Sequence, residues 1–383
     1  MWYKVKRILV WTQQVRPSYK TFTIQREEKS NMSSWWTYLD DATWLKSWSW
    51  DFDDFFWYSA VLLNTSWTET AEIKQSWWVF SSAITNLGNI TSWDNVMIKF
   101  PVRWIKMTKS WSIVTLSITD GLNRDWYQYF AHSTWQTNNI TSTKEQFYLW
   151  AYKWYVNSNV LKSWSWRTPT WSKTLANFCT YAKANNTNLG WNVEWFYQRM
   201  YIQALYMMKY GNPNSQSVVG RWLVSWSITS TWWTNWQASA TYGTSSNTSQ
   251  IKLFWLEDFW WNMHECIGWE YTDANKVLYT QLSWYSGTFS WWVSTWVEPD
   301  TSSTWGCIWW IAWNNLWMFY PVKMVSDSSY STYYADNWAH NASSTASCWW
   351  AADWWNKAGV WLFINIRNQS FTYYDIGSRL MYL

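Results

Sequence analysis

Large aromatic side chains stand in this chain where a backbone needs room to turn. Of 383 residues, 47 are Trp and only 11 are Gly; in ordinary usage Gly is at about 7% and among the commonest residues. Trp follows Ser twelve times, as at Trp48, Trp50, Trp164 and Trp166. Eight Trp-Trp pairs occur, among them Trp35-Trp36, Trp232-Trp233 and Trp291-Trp292, mostly amid Ser, Thr and Asn. Such segments build turns, and turns favour a residue that tolerates positive φ. An indole there gains little burial and exposes an apolar face. The expectation is that most of these tryptophans occupy positions where the natural protein has glycine. The simplest cause is a UGA codon read as glycine by the source and as Trp in translation. A truly Trp-rich lectin that stacks indoles on sugars, or a designed or scrambled chain, would account for the same composition. TGG codons at Trp48, Trp50 and Trp164 would remove the recoding explanation.

The length suits one large domain or two ordinary ones. Charged residues make up 14% and the net charge is +4, without a long basic run, so nucleic acid is not an expected partner. Cys179, Cys266, Cys307 and Cys348 are far apart and form no CxxC pair. A zinc ribbon or thioredoxin-like site is therefore not expected. Scattered thiols act as small buried hydrophobes more often than as ligands, and a disulfide stays open. After Lys4, Lys6 and Arg7 the apolar stretch is only Ile8 to Trp11, too short for a signal-peptide core. Synthesis in the cytoplasm is expected. No run of 18 apolar residues predicts a membrane span. The segment Trp195 to Tyr210 is broken by Gln198, Arg199, Gln203 and Lys209 and reads as a core helix.

Along the chain, Val5 to Val10 and Tyr19 to Ile24 alternate as strands do. Asp51, Asp53 and Asp54 form an acidic patch that lacks the spacing of a calcium loop and reads as a solvated turn. Val96 to Val102 is a strand ended by proline. Ser112 to Thr119 is another, joined to it by a Lys-Ser-Trp turn at 109–111, which has ordinary hairpin chemistry if Trp111 is glycine. Tyr127 to His132 and Gln146 to Tyr152 fit strands. A helix is predicted over Ser172 to Ala184, with Leu175, Phe178, Cys179 and Ala182 at helical spacing and Ser172 as N-cap. A second runs over Val193 to Tyr210 and stops at Gly211-Asn212-Pro213. Beyond, short strands at Gln250 to Phe254, Lys276 to Leu282, Val360 to Ile366 and Ile376 to Tyr382 interrupt long loops. No repeat of 20–50 residues is present.

From about Asn95 to Leu383 the order of elements resembles the C-type-lectin-like domain of formylglycine-generating enzymes and of phage or bacterial variable proteins. Four segments carry the likeness. Phe147-Tyr148-Leu149-Trp150-Ala151-Tyr152-Lys153 is similar to an early strand, with Trp150 where the family often has glycine. Trp191-Asn192-Val193-Glu194-Trp195 opens the long helix. Phe254 to Glu265 is similar to the family's G-[LI]-x-D-[MF]-x-G-N-x-x-E turn if Trp255 and Trp261 are glycines. Asp375-Ile376-Gly377-Ser378-Arg379-Leu380 is similar to its closing strand with Gly-x-Arg. The match makes Trp191, Trp195 and Trp260 genuine aromatics. It implies an α+β fold in which a C-type-lectin-like ligand-binding domain over 96–383, with two helices and long loops, follows a small β-rich docking or oligomerisation region over 1–95.

Within that family the chain is most similar to phage tail proteins and targets of diversity-generating retroelements. The resemblance then implies a non-enzymatic receptor-binding protein on a virion tail or cell surface, facing a host or partner protein or glycan. It is compatible with a homotrimer and implies no membrane insertion. Its contact residues would be Tyr330, Tyr333, Tyr334, Asp336, Asn337, His340, Asn356, Asn368, Tyr373 and Tyr374, because Tyr and Asn give broad amphipathic contact at low entropic cost. The same tyrosines would also suit a packed core. A Trp-rich carbohydrate-binding lectin is the second reading, with Trp349 and Trp350 as its test. A formylglycine-type copper oxidase is the third. It would need two cysteines near the C-terminal end, where only Cys348 lies, unless folding joins distant thiols. No catalytic motif, metal site or cofactor is expected. His264 beside Glu265 reads as a buried hydrogen-bonded residue and His132 as a surface residue. Asp258 and Glu265 could pair as acid and base, but read better as loop supports, Asp258 by capping backbone N–H groups. Arg379 is expected to pin the closing strand.

Overall fold

A computed structural model describes residues 20–27, 36–44, 55–56, 58–72, 75–76, 79–80, 94–120, 130–136, 139–187, 190–220, 228–237, 239–245, 249–260, 262–281, 292–294, 305–312, 320–325, 337–340, 345–348, 359–361, 363–365 and 376–382. Within them the fold is mixed α+β, with few helices and many strands, mostly antiparallel.

The central sheet has six strands in the order Trp191–Val193, Leu380–Tyr382, Gln146–Trp150, Asn95–Pro101, Ser59–Leu63 and Glu69–Glu72. Residues from both sides of the expected boundary at 95 therefore share one sheet, with Ala60 opposite Ile98. Val96, Met97, Ile98 and Phe100 are all buried, as are Phe147, Leu149 and Trp150. Such near-continuous apolar strands need cover on both faces. A second sheet of four strands joins Thr37–Asp40, Thr21–Glu27, Ile113–Thr119 and Trp104–Ser110. Here the structure differs from the sequence expectation. The strand Asn95–Pro101 does not turn directly into 112–119; Trp104–Ser110 intervenes, and the hairpin at Trp111 joins it to Ile113–Thr119. Pro101, which has no N–H to donate, closes the first strand and lets the chain change sheets.

Helix α1, Leu175–Lys183, starts at Thr174, whose side chain accepts from the Asn177 N–H while the Asn177 side chain accepts from the Thr174 N–H. Ser172, expected as the cap, instead sits at φ +58°. Leu175, Phe178, Cys179 and Ala182 form the buried stripe. Helix α2, Phe196–Tyr210, is buried at every position but Tyr210, and Gly211 ends it at φ +57° with its N–H bonded to Met207 O. The left-handed conformation favours glycine there, and a Cβ on Gly211 would also stand 2.8 Å from Tyr38 Oη. Val193, expected in this helix, instead pairs with Leu380 in a strand, Trp191–Val193, that runs antiparallel to Leu380–Tyr382. A short helix α3, Ser215–Val218, follows.

His132 corrects another expectation. Phe130–His132 is a single 3₁₀ turn rather than a strand end, and His132 is fully buried against Phe147 and Tyr201. Burial pushes its pKa down to about 3, so the ring is neutral. The strand His264–Thr272 lies at the middle of a third sheet, with Leu278–Gln281 on one side, Thr345–Cys348 on the other, and Ile376–Gly377 paired parallel to its start. A fourth sheet joins Tyr320–Val325, Trp305–Ala312, Asn337–His340 and Phe363–Asn365.

Candidate functional site

The turn at 252–265 organises the chemistry of the molecule. Lys252 and Leu253 pair with Glu257 and Leu256, so Phe254 and Trp255 form a two-residue loop with φ +50° and +69°. Two successive positive φ values define the hairpin turn that favours Asn-Gly. Asp258 and Asn262 follow at φ +52° and +76°, a conformation these two residue types tolerate.

Each carboxylate of the turn has a separate task. Glu257 Oε1 accepts the Trp232 N–H at 2.8 Å, and Oε2 accepts the Thr234 N–H at 2.9 Å and the Thr234 hydroxyl. It thereby caps the 3₁₀ turn Trp233–Trp236. That backbone-capping role was expected of Asp258. The Asp258 Oδ2 instead accepts from Gln250 Nε2 at 2.6 Å and Asn262 Nδ2 at 2.8 Å. Its Oδ1 has no partner among the described residues. Burial, with Glu257 beside it, pushes the Asp258 pKa up to about 8.

Glu265 lies at the centre of a fully buried ion network. Its Oε1 accepts from Lys153 Nζ at 2.7 Å and Arg379 Nε at 2.8 Å, and its Oε2 from Arg199 Nη2. Arg199 Nη2 also reaches Glu194 Oε2 at 2.7 Å. Arg379 continues to the carbonyls of Trp150 at 2.9 Å and Glu257 at 3.1 Å, which ties the closing strand to the turn. All five side chains are 0% exposed. Burial alone would raise the Glu265 pKa, but Arg379, Lys153 and Arg199 outweigh it and hold the carboxyl down near 2. Glu194, with Arg199 at hydrogen-bond distance, Arg379 at 4.0 Å and no partner for Oε1 among the described residues, goes the other way: burial lifts it to about 7. Burial lowers Lys153 to about 8. Closed to solvent, the network clamps four chain segments together; it offers no surface to a substrate. Arg199 and Glu194 carried no expected role. Their signal was a charge in segments otherwise apolar, where only a pairing partner makes burial tolerable.

Of the expected contact residues, only Asn337 and His340 lie among the described residues. Asn337 and His340 begin and end one strand, Asn337 opposite Cys307 and His340 in parallel register with Asn365. Tyr330, Tyr333, Tyr334, Asp336, Asn356, Asn368, Tyr373 and Tyr374 lie outside the described residues, as do the acidic patch at 51–54, Trp48 and Trp50, Trp261, Trp349 and Trp350, and the strand expected at 5–10. His264 pairs through its backbone with Ile376. Among the described residues no group of three or more His, Cys, Asp or Glu could hold a metal ion, and no helix is long and apolar enough to cross a membrane. No protein-family model matches the chain, and no curated protein matches it in sequence.

Proposed function

We propose that the chain is a non-enzymatic receptor- or ligand-binding protein built on a C-type-lectin-like domain, of the kind found at phage tail tips and among retroelement-diversified variable proteins. One observation carries the reading. Each of the four segments that resemble the family sends one charged side chain into a single buried network: Lys153, Glu194, Glu265 and Arg379. Segments so far apart in sequence meet this way when they form one scaffold. The network's closure to solvent suits support rather than chemistry, and it leaves recognition to the C-terminal segments around 330–340 and 365–374. The partner is a host or neighbouring cell-surface protein or glycan, and binding needs no cofactor.

The same reading takes turn indoles as recoded glycines. Trp67, Trp111, Trp166 and Trp255 support it, standing at φ +74°, +57°, +61° and +69°. Substituting Tyr333, Tyr334 and His340 together by Ala in the full chain should weaken binding to host cells at least tenfold without moving the thermal unfolding midpoint. Unchanged binding, or copper-dependent oxidation of a cysteine peptide by the purified protein, would overturn the reading. The carbohydrate-binding lectin stays as a second reading because Trp233 and Trp236 are 44% and 58% exposed at i, i+3 on one 3₁₀ turn, where side chains eclipse. Glycan binding lost in Trp236→Ala and kept in the triple variant would favour it.

A further inference from the structure

The register of the third sheet brings together two cysteines that the sequence keeps far apart. Cys266 and Cys348 are direct partners across the antiparallel strands His264–Thr272 and Thr345–Cys348, and Ile267 opposite Ser347 continues the same register. Residues directly opposite in an antiparallel pair have Cα atoms about 4.5 or about 5.5 Å apart. A disulfide spans Cα separations of about 4.4–6.8 Å. Cys307 has a different setting, opposite Val325 and Asn337, and Cys179 lies in the buried stripe of α1.

We propose that Cys266 and Cys348 form a cross-strand disulfide. With a low-molecular-weight disulfide such as oxidised glutathione as oxidant, one cysteine thiolate attacks its sulfur–sulfur bond and releases one thiol. The second cysteine thiolate then displaces the other, so that two cysteines are oxidised and one disulfide is reduced to two thiols. The position gives the bond a structural effect. Cys266 follows Glu265 in the strand that carries the ion network, and its carbonyl accepts the Ser378 hydroxyl at 2.5 Å. Cys348 ends a strand that follows the segment 326–340. The bridge would tie Cys348 to the strand that carries Glu265 and would close a long loop in the unfolded chain.

The test is peptide mapping of the full chain after incubation with oxidised glutathione, alkylated without reduction. A Cys266–Cys348 linked peptide that disappears on reduction is the expected result, with Cys179 and Cys307 alkylated. Cys266→Ser should leave Cys348 alkylated or glutathionylated and should slow no other thiol. Alkylation of both Cys266 and Cys348 in the oxidised wild-type chain, or a link from either to Cys307, would overturn the proposal. Loss of host-cell binding with the linked peptide present would count against the ligand-binding reading alone.

Discussion

Around Glu265, bulky and charged side chains fill a space with almost no solvent, and tertiary contacts fix the arrangement. Lys153, Arg199 and Arg379 are held by one carboxylate, and Trp150 and Trp260 are fully buried nearby in sequence. At the turns 64–68, 110–113 and 165–167 the large side chain is the misfit. Asn64 accepts the Ser66 and Thr68 N–H groups, both at 2.9 Å, and the turn it makes leaves Trp67 at φ +74°. Trp111 opens a two-residue hairpin at φ +57° and is 94% exposed. An L-residue in that conformation costs on the order of 1–2 kcal/mol, and an exposed indole recovers little of it by burial. The first region needs its side chains; the second needs only the backbone. The contrast separates charged side chains that the packing holds from exposed indoles that only a turn carries.

Removing the centre of the charged region is the strongest way to break that contrast. Glu265→Ala leaves three buried cations without their shared carboxylate and should destabilise the protein by about 3–5 kcal/mol in urea unfolding. A cost below about 1 kcal/mol would mean that the network does not hold the scaffold.

The pH dependence of stability probes the same region more gently. Glu265 is depressed to about 2, so its contribution is complete above its unfolded value and lost as pH falls through about 4.5 to 2. Glu194 is raised to about 7, so the unfolded chain ionises it first and stability falls as pH rises from about 4.5 to 7. A shift of that size corresponds to on the order of 3 kcal/mol. Asp258, raised to about 8, adds to the fall. His132, depressed to about 3, opposes part of the fall as pH rises to about 6.5, and Glu194→Gln should flatten the decline between pH 4.5 and 7. A wild-type profile flat from pH 4.5 to 7, or a Glu194→Gln profile that keeps the full slope, would contradict the assignment.

The smallest effect concerns the turns. Trp111→Gly should raise stability by about 1 kcal/mol, because it relieves the left-handed conformation and loses almost no burial. Trp166→Gly should do the same to a lesser degree, since Trp166 stacks on Trp232 with ring centroids 4.1 Å apart. A loss of stability in both variants would show that the indoles belong there.

Much of the scaffold was legible in local pattern. The strands at 95–101 and 146–150, the stripe of α1 and the glycine stop of α2 follow from short apolar runs, helical spacing and capping chemistry, which act within a few residues. The N-cap was missed by two residues because Ser172 and Thr174 are both competent caps, and only Thr174 is followed at the third position by a side chain that bonds back, Asn177. His132 was misplaced because nothing local says that Phe147 and Tyr201 cover it. In the candidate site, the pairing of Glu265 with Arg379 joins residues 114 positions apart, a distance over which sequence alone gives no geometry.

The Ser-Trp dipeptide marks the limit. The sequence determined that too many indoles stand in turn-forming contexts for all of them to have a core position. It could not sort them, because Ser110-Trp111 and Ser163-Trp164 are the same local pair. Trp111 is left in solvent at positive φ, whereas Trp164 is 6% exposed and its indole N–H donates to Asp94 O at 2.9 Å. Burial and hydrogen bonding to distant residues are properties of the assembled chain, so that difference belongs to the tertiary structure.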